Sequence, residues 1–185
     1  MNVRAAVATT GGGDRLQAMI ANAAVREVLM GAQDNLTNVM AVVIGVGLGS
    51  GEARLAALAG MAAAVAEAIS MAGVLYTSTL AERELAADGP TGAEPPARIG
   101  PRMAGLVTGI AAMVGGIVPL APFAVLPLRA ALLASLVVSL ATLFALGIAT
   151  ASITRRSWWR GGLRLVLIAG AAALAAALVA AALPV

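Results

Sequence analysis

Residues 27–48, EVLMGAQDNLTNVMAVVIGVGL, place one carboxylate, Asp34, at the start of a long apolar stretch. The stretch contains no proline, and apolar or glycine residues follow without interruption after Asn38. Inside a membrane helix an acidic side chain costs about 2.5–3.5 kcal/mol on insertion scales, so it is normally found on the path of an ion, a proton or a substrate. The stretch therefore indicates a membrane transporter rather than a simple membrane anchor.

The composition of the chain agrees with this interpretation. Of its 185 residues, 61% are hydrophobic and 11% are charged. A soluble domain of this size could not bury so much apolar surface, so the bilayer is its expected solvent. His and Cys are absent, which excludes disulfides, imidazole or thiolate metal ligands, and catalysis by these side chains. A metal ion would have to bind oxygen ligands or the sulfur of Met.

Five segments are long and apolar enough to cross a bilayer, because a hydrocarbon core of about 30 Å requires about 20 helical residues. They are residues 27–49, 55–79, 103–121, 129–153 and 163–183. We therefore predict an all-α integral membrane protein with a single five-helix transmembrane domain, residues 27–183. Residues 1–26 are predicted to form a cytoplasmic tail, flexible to residue 13 and able to form a surface helix over 14–26. Residues 80–102, which contain four prolines before the third span, are predicted to be a short cytoplasmic loop.

The arginines predict the orientation of the spans. With a cytoplasmic N-terminus, ten of the 12 basic residues lie inside and only Arg54 and Arg129 lie outside. Cytoplasmic loops carry the excess of basic residues in membrane proteins. We therefore predict a C-terminus on the outer side, and we attribute the net charge of +3 to topology rather than to a nucleic-acid partner.

The first two predicted spans carry polar residues that form a candidate metal site. Glu27 and Asp34 are seven residues apart, close to two helical turns, so they are predicted to share a face with Asn38 one turn further on. The second span contributes three more candidates, Glu67, Ser70 and Met71.

Depth in the membrane can be estimated at 1.5 Å per residue from the inner end of each span. Asp34 is then about 10 Å and Met71 about 12 Å from the inner surface, with Glu67 about 6 Å deeper than Met71. We predict metal binding by Asp34, Met71, Glu67 and Glu27, and proton coupling by Glu67 and Asp34. A thioether beside carboxylates favours Fe(II) or Mn(II) over Mg(II) or Ca(II).

Each of these residues also has a structural interpretation. Asp34 could cap a helix that begins at Asn35, although that helix would be too short to span a bilayer comfortably. Met71 could be a packing residue, Glu67 a hydrogen-bonded structural acid, and Glu27 a solvated charge at the membrane interface.

Four short stretches resemble the vacuolar iron transporter family. They are DNLTN at 34–38, AISMA at 68–72, YTS at 76–78 and GIVPLAPF at 116–123. The family has an Asp-Gly-Leu-Thr-Thr-like motif in its first helix, a Ser-Met motif in its second, and a Gly-x-x-Pro-Leu-x-Pro segment after its third. The resemblance extends over roughly residues 25–183.

The resemblance implies a five-helix protein, usually a homodimer, that moves Fe(II) and often Mn(II) out of the cytosol in exchange for protons. It implies metal ligands at Asp34 and Met71, and a carboxylate at the inner end of the first span at Glu27. The chain departs from the family at Asn35, which replaces a Gly, and at Asn38, which replaces a Thr. Leu75 stands where many members have Glu.

A further departure concerns the region between spans two and three. Many members of the family have a long Glu-rich helical extension there that collects metal in the cytosol. The present loop is short, and it offers Glu82 and Glu84 as its candidates for metal capture.

The hypothesis from sequence is a proton-coupled exporter of Fe(II) or Mn(II), the metal being a transported substrate rather than a bound cofactor. Asn38 and Ser70 would line the pore, and the protein would be a homodimer in a bacterial plasma membrane. The alternatives are a membrane scaffold that has lost transport and a transporter of another small cation. No nucleophile–base pair or phosphate-binding Gly loop is evident, so an enzyme is not expected.

Overall fold

The computed structural model describes residues 3–87, 99–153 and 157–183, with side chains described over 25–87, 99–152 and 157–183. Within these ranges it consists of five α-helices and one short 3-10 helix that follows the third α-helix. They are α1 (Val3–Ser50), α2 (Ala53–Ala87), α3 (Pro101–Leu120), the 3-10 helix Ala121–Ala124, α4 (Leu128–Ile153) and α5 (Trp158–Ala182). The predicted all-α architecture is confirmed.

Four of these helices are long and apolar enough to cross a membrane: α2, α3 with its 3-10 turn, α4 and α5. The first predicted span, 27–49, is not among them, because Gln33, Asp34, Asn35 and Asn38 interrupt its apolar run. Spans two to five are therefore supported as membrane segments. The fifth crossing and the orientation of the bundle stay predictions.

Two helices extend further than the sequence indicated. The predicted flexible tail and separate surface helix are replaced by one continuous α1 from Val3, because this part of the chain contains glycines but no proline. Helix α2 continues to Ala87, since residues 80–87 are strong helix formers and the next proline is Pro90. Glu82 and Glu84 therefore lie on a helix rather than in a loop. Most of the predicted proline-rich loop, residues 88–98, lies outside the described residues.

Helix α1 contacts each of the other four α-helices. Leu36 and Met40 are fully buried in a cluster with α4 and α5, where Leu143 is their largest buried neighbour. On another side of α1, Val39 and Val43 pack against α2 and the end of α3. The apolar part of α1 therefore forms the core of the bundle, which determines the rotation of its polar residues.

The connection between α1 and α2 is a tight turn. Gly51 adopts a φ of 70°, a left-handed conformation that favours glycine. The Oγ atom of Ser50 accepts a hydrogen bond from the backbone N–H of Glu52 at 3.2 Å. So short a turn makes α1 and α2 antiparallel neighbours with a defined register.

Small residues allow α3 to lie close to its neighbours. A Cβ atom at Gly105 would lie 2.6 Å from the backbone oxygen of Ala72, and one at Gly109 would lie 3.1 Å from that of Ala68. Gly115 is placed in the same way against the backbone carbonyl of Ala32 on α1. These contacts bring the backbones of α1, α2 and α3 together beside Asp34.

Three prolines mark the turn between α3 and α4. Pro119 lies in the last turn of α3, Pro122 in the 3-10 helix, and Pro127 directly before α4. Ser135 of α4 is fully buried and donates a hydrogen bond from Oγ to the backbone oxygen of Pro119 at 2.8 Å. This bond ties α4 to the end of α3.

Candidate metal centre

The register of α1 and α2 brings Asp34 and Glu67 together. Val43 of α1 lies against Gly60 of α2. Further along the same two helices, Asn35 of α1 donates a hydrogen bond to the backbone oxygen of Ala64 on α2. Continuing along the antiparallel pair, the Glu67 carboxyl group lies close enough to the side chains of Asp34 and Asn38 to interact with both. Two carboxylates so placed repel each other when both are charged, so a proton or a cation between them would be favourable. The site is therefore a carboxyl pair with an adjacent amide.

The carboxyl pair lies at the surface of the single chain. Asp34 and Asn38 are exposed and Glu67 is half-buried. The neighbouring surface is apolar, and Ile69 and Met30 are 69% and 40% exposed. Polar groups of this kind are not expected to face lipid directly, because charged side chains in membranes normally face protein or a water-filled path.

Met71 lies one helical turn from this site. On α2 it follows Glu67 by four residues, so its backbone is about 6 Å further toward the Ala87 end of the helix. The register makes Glu67 level with Asp34 and places Met71 within about one turn of it. Met71 is half-buried and Ser70 is exposed.

Glu27 has different surroundings from Asp34. It is 2% exposed, although the seven-residue spacing predicted a shared face. Among the described residues no group of three or more acidic, His or Cys side chains is close enough to hold a metal ion. The structure therefore brings together Asp34, Glu67 and Asn38, and it does not add Glu27 to them.

Asn35 is the residue at this site whose contribution was not predicted. Its side chain is fully buried and donates two hydrogen bonds, to the backbone oxygens of Ala64 and Ala112. In the sequence it is noticed only as a replacement for a family Gly. The signal for its role is the Gly115-Gly116 pair on α3, which gives a buried amide room to reach two helices.

The groups that meet here suit a divalent cation. Two carboxyl groups and an amide oxygen are hard ligands of the kind that Mn(II) and Mg(II) accept, and the sulfur of Met71 one turn away would favour a softer transition metal. A metal ion and a proton would compete for the same carboxyl oxygens of Asp34 and Glu67. The arrangement can therefore couple cation binding to proton release.

A family model described as the VIT family matches the chain over residues 25–89 and 87–181. Both candidate acids, the Ser-Met segment and the Pro-containing end of α3 fall within the matched ranges. Among curated proteins, none is similar enough to this chain to count as a match.

Proposed function

The chain belongs to the VIT family of membrane proteins, which implies metal transport, and on that premise we propose that it exports Fe(II) or Mn(II) from the cytosol in exchange for protons. The observation that carries the proposal is the proximity of the Glu67 side chain to those of Asp34 and Asn38 between α1 and α2. Membership of a transporter family also agrees with the expectation that the chain is not an enzyme.

Charge balance explains how the carboxyl pair couples the two ions. With one shared proton the pair has a net charge of −1, and after loss of that proton its charge is −2. Binding of a divalent cation at Asp34 and Glu67 displaces the proton, because both compete for the same oxygen lone pairs. Return of a proton from the outer side then favours release of the metal.

The remaining candidates have supporting roles in this proposal. The thioether of Met71 selects for transition metals as the ion passes one turn from the pair. Asn38 and Ser70 line the path, and buried Glu27 lies toward the inner end of α1, where metal enters. The excess of arginines on one side, from the sequence, gives the direction from cytosol to outside across a bacterial plasma membrane.

The exposure of the site supports the proposed homodimer. Asp34 and Asn38 are exposed on a single chain, and such groups are unfavourable against lipid. A second copy packed on this face of α1 would shield both carboxyl pairs and enclose a path between them. The expected homodimer therefore accounts for an otherwise costly surface.

Transport by proteoliposomes that contain a pH-sensitive dye tests the proposal. Fe(II) or Mn(II) uptake with an opposing proton flux is expected for the wild type and is expected to be lost in Asp34→Ala. Glu52→Gln is the matched control, because Glu52 is an exposed acid in the α1–α2 turn, away from the pair.

The alternatives give different results in the same assay. A scaffold would show neither flux nor Mn(II) binding in the folded wild type. A transporter of another cation would show competition by that solute and no response to Met71→Leu.

A further inference from the structure

Asn35 joins three helices immediately beside the carboxyl pair. Its Nδ2 atom donates to the backbone oxygen of Ala64 on α2 at 3.0 Å and to that of Ala112 on α3 at 2.8 Å. The side chain is 0% exposed. Both amide hydrogens of this α1 residue are therefore used in contacts with other helices.

The orientation of this amide is determined by its partners. A rotation that exchanges nitrogen and oxygen would place Oδ1 against two carbonyl oxygens, which cannot donate a hydrogen bond. In the present orientation Oδ1 is buried, and it accepts no hydrogen bond within the described part of the chain. A polar atom left in this state is unfavourable, so the two donated bonds maintain the position of the side chain at some cost.

The surrounding backbone leaves little freedom for the amide. A Cβ atom at Gly116 would lie 2.9 Å from Nδ2 of Asn35 and 2.9 Å from the Cβ atom of Ala64. Any larger residue at Gly116 would therefore displace the amide, and any movement of α1 along its axis would break one of the two bonds.

The bonds of Asn35 are adjacent to the carboxyl contact on both helices. On α1, Asn35 directly follows Asp34. On α2, Glu67 is three residues from Ala64, less than one helical turn. The two bonds of Asn35 thus add to the apolar packing of α1 in determining its height and rotation where Asp34 meets Glu67.

We propose that Asn35 is a positioning residue for the Asp34–Glu67 pair, acting through its two interhelical hydrogen bonds to set the contact between the carboxyl groups. Its consequence for metal affinity rests on the proposed function, whereas its effect on the geometry of the pair does not. Asn35 is not itself assigned as a metal ligand.

Cross-linking tests the geometric part without metal transport. The chain contains no Cys, so Asp34→Cys with Glu67→Cys introduces the only two thiols. Oxidation with copper phenanthroline is expected to link them within one chain, and Asp34→Cys alone reports links between copies. Adding Asn35→Ala is expected to slow the link within the chain by about fivefold, the population change that losing one net hydrogen bond produces.

Three further variants keep this test decisive. Gly116→Ala displaces the amide, and isosteric Asn35→Asp can donate at most one hydrogen, so both are expected to slow the link. Ser135→Ala is the matched control, because it removes another buried bond to a backbone oxygen, away from the pair. Equal rates with Asn35 and with its replacements would overturn the proposal.

Mn(II) binding to the otherwise native chain tests the functional part. Asn35→Ala is expected to lower the affinity by about 10–100-fold, as loss of residues that orient metal ligands usually does, with Ser135→Ala unchanged. Unchanged affinity despite slower cross-linking would overturn the role in metal binding. A folded wild type that binds no Mn(II) would instead count against the proposed function, and the cross-linking result would still decide the positioning role.

Discussion

Asp34 and Asn35 are neighbours in the chain but have opposite surroundings. Asn35 is fully buried and bonded to α2 and α3, whereas Asp34 is exposed and contacts Glu67 at the edge of the bundle. The reason is helical geometry, because successive residues on a helix point about 100° apart. One residue therefore faces the three-helix core and the next faces the surface.

The two sides of α1 therefore have different roles, one in helix packing and the other in binding a cation. The buried side is built from an amide, small residues and apolar side chains, and it determines where the helix lies. The exposed side carries the acid and the amide that can meet a cation. Substitutions on the exposed side should accordingly change transport with little effect on stability. Substitutions on the buried side should change stability, and should affect the site only through the position of α1.

The largest effect on transport is expected from Asp34→Asn. This change keeps the size of the side chain but removes the negative charge. Mn(II) transport should therefore fall by at least about 100-fold, more than the loss of a residue that only orients the metal ligands would cause. The midpoint of thermal unfolding should stay close to that of the wild type, because Asp34 is exposed. Substantial residual transport, or an unfolded variant, would contradict the separation of the two sides.

The largest effect on stability is expected from Gly115→Ala on the buried side. The new Cβ atom would collide with the backbone carbonyl of Ala32, and overpacking of this kind costs about 1–3 kcal/mol. Gly73→Ala is the matched control, since no atom lies within 4 Å of its added Cβ. Thermal unfolding in detergent should show a clear decrease for Gly115→Ala and none for Gly73→Ala. Equal midpoints would show that α1 and α3 are not held as closely as described.

Much of the fold followed from residue types alone. Apolar length identified spans two to five, and the prolines at 119, 122 and 127 identified the turn after α3. The extended ends of α1 and α2 did not follow, because glycines in an Ala-rich run weaken a helix without ending it. The last turns of α2 contain strong helix formers that are also charged, which made them resemble a loop.

The candidate site was predictable in its members but not in its geometry. The energetic cost of acidic side chains in a membrane singled out Asp34 and Glu67. In the structure these two side chains interact between α1 and α2. The depth of Met71 depended on the inner end of α2, which composition did not define. Asn35 was missed because its importance depends on two backbone oxygens from other helices, and no local pattern encodes those.

A smaller effect is expected from Met71→Leu. This residue of α2 is half-buried, intermediate between exposed Asp34 and buried Asn35. The change conserves volume and removes only the sulfur, so stability should change little. Since a thioether favours softer metals, the preference for Fe(II) over Mg(II) should decrease by a few-fold. Competition uptake with Met61→Leu, an exposed residue of the same helix, provides the control. An unchanged preference would make Met71 a packing residue.

The smallest effect is expected from changing Glu82 and Glu84 together to Gln. Both lie on α2, Glu82 half-buried and Glu84 exposed, and residues two apart on a helix do not face each other. They therefore cannot bind one ion jointly, and any gain in local cation concentration is screened by salt within about 10 Å. Mn(II) uptake at low metal concentration should decrease by less than about twofold, as expected for exposed charges. A much larger decrease would mean that metal capture begins on the inner extension of α2 rather than at the carboxyl pair.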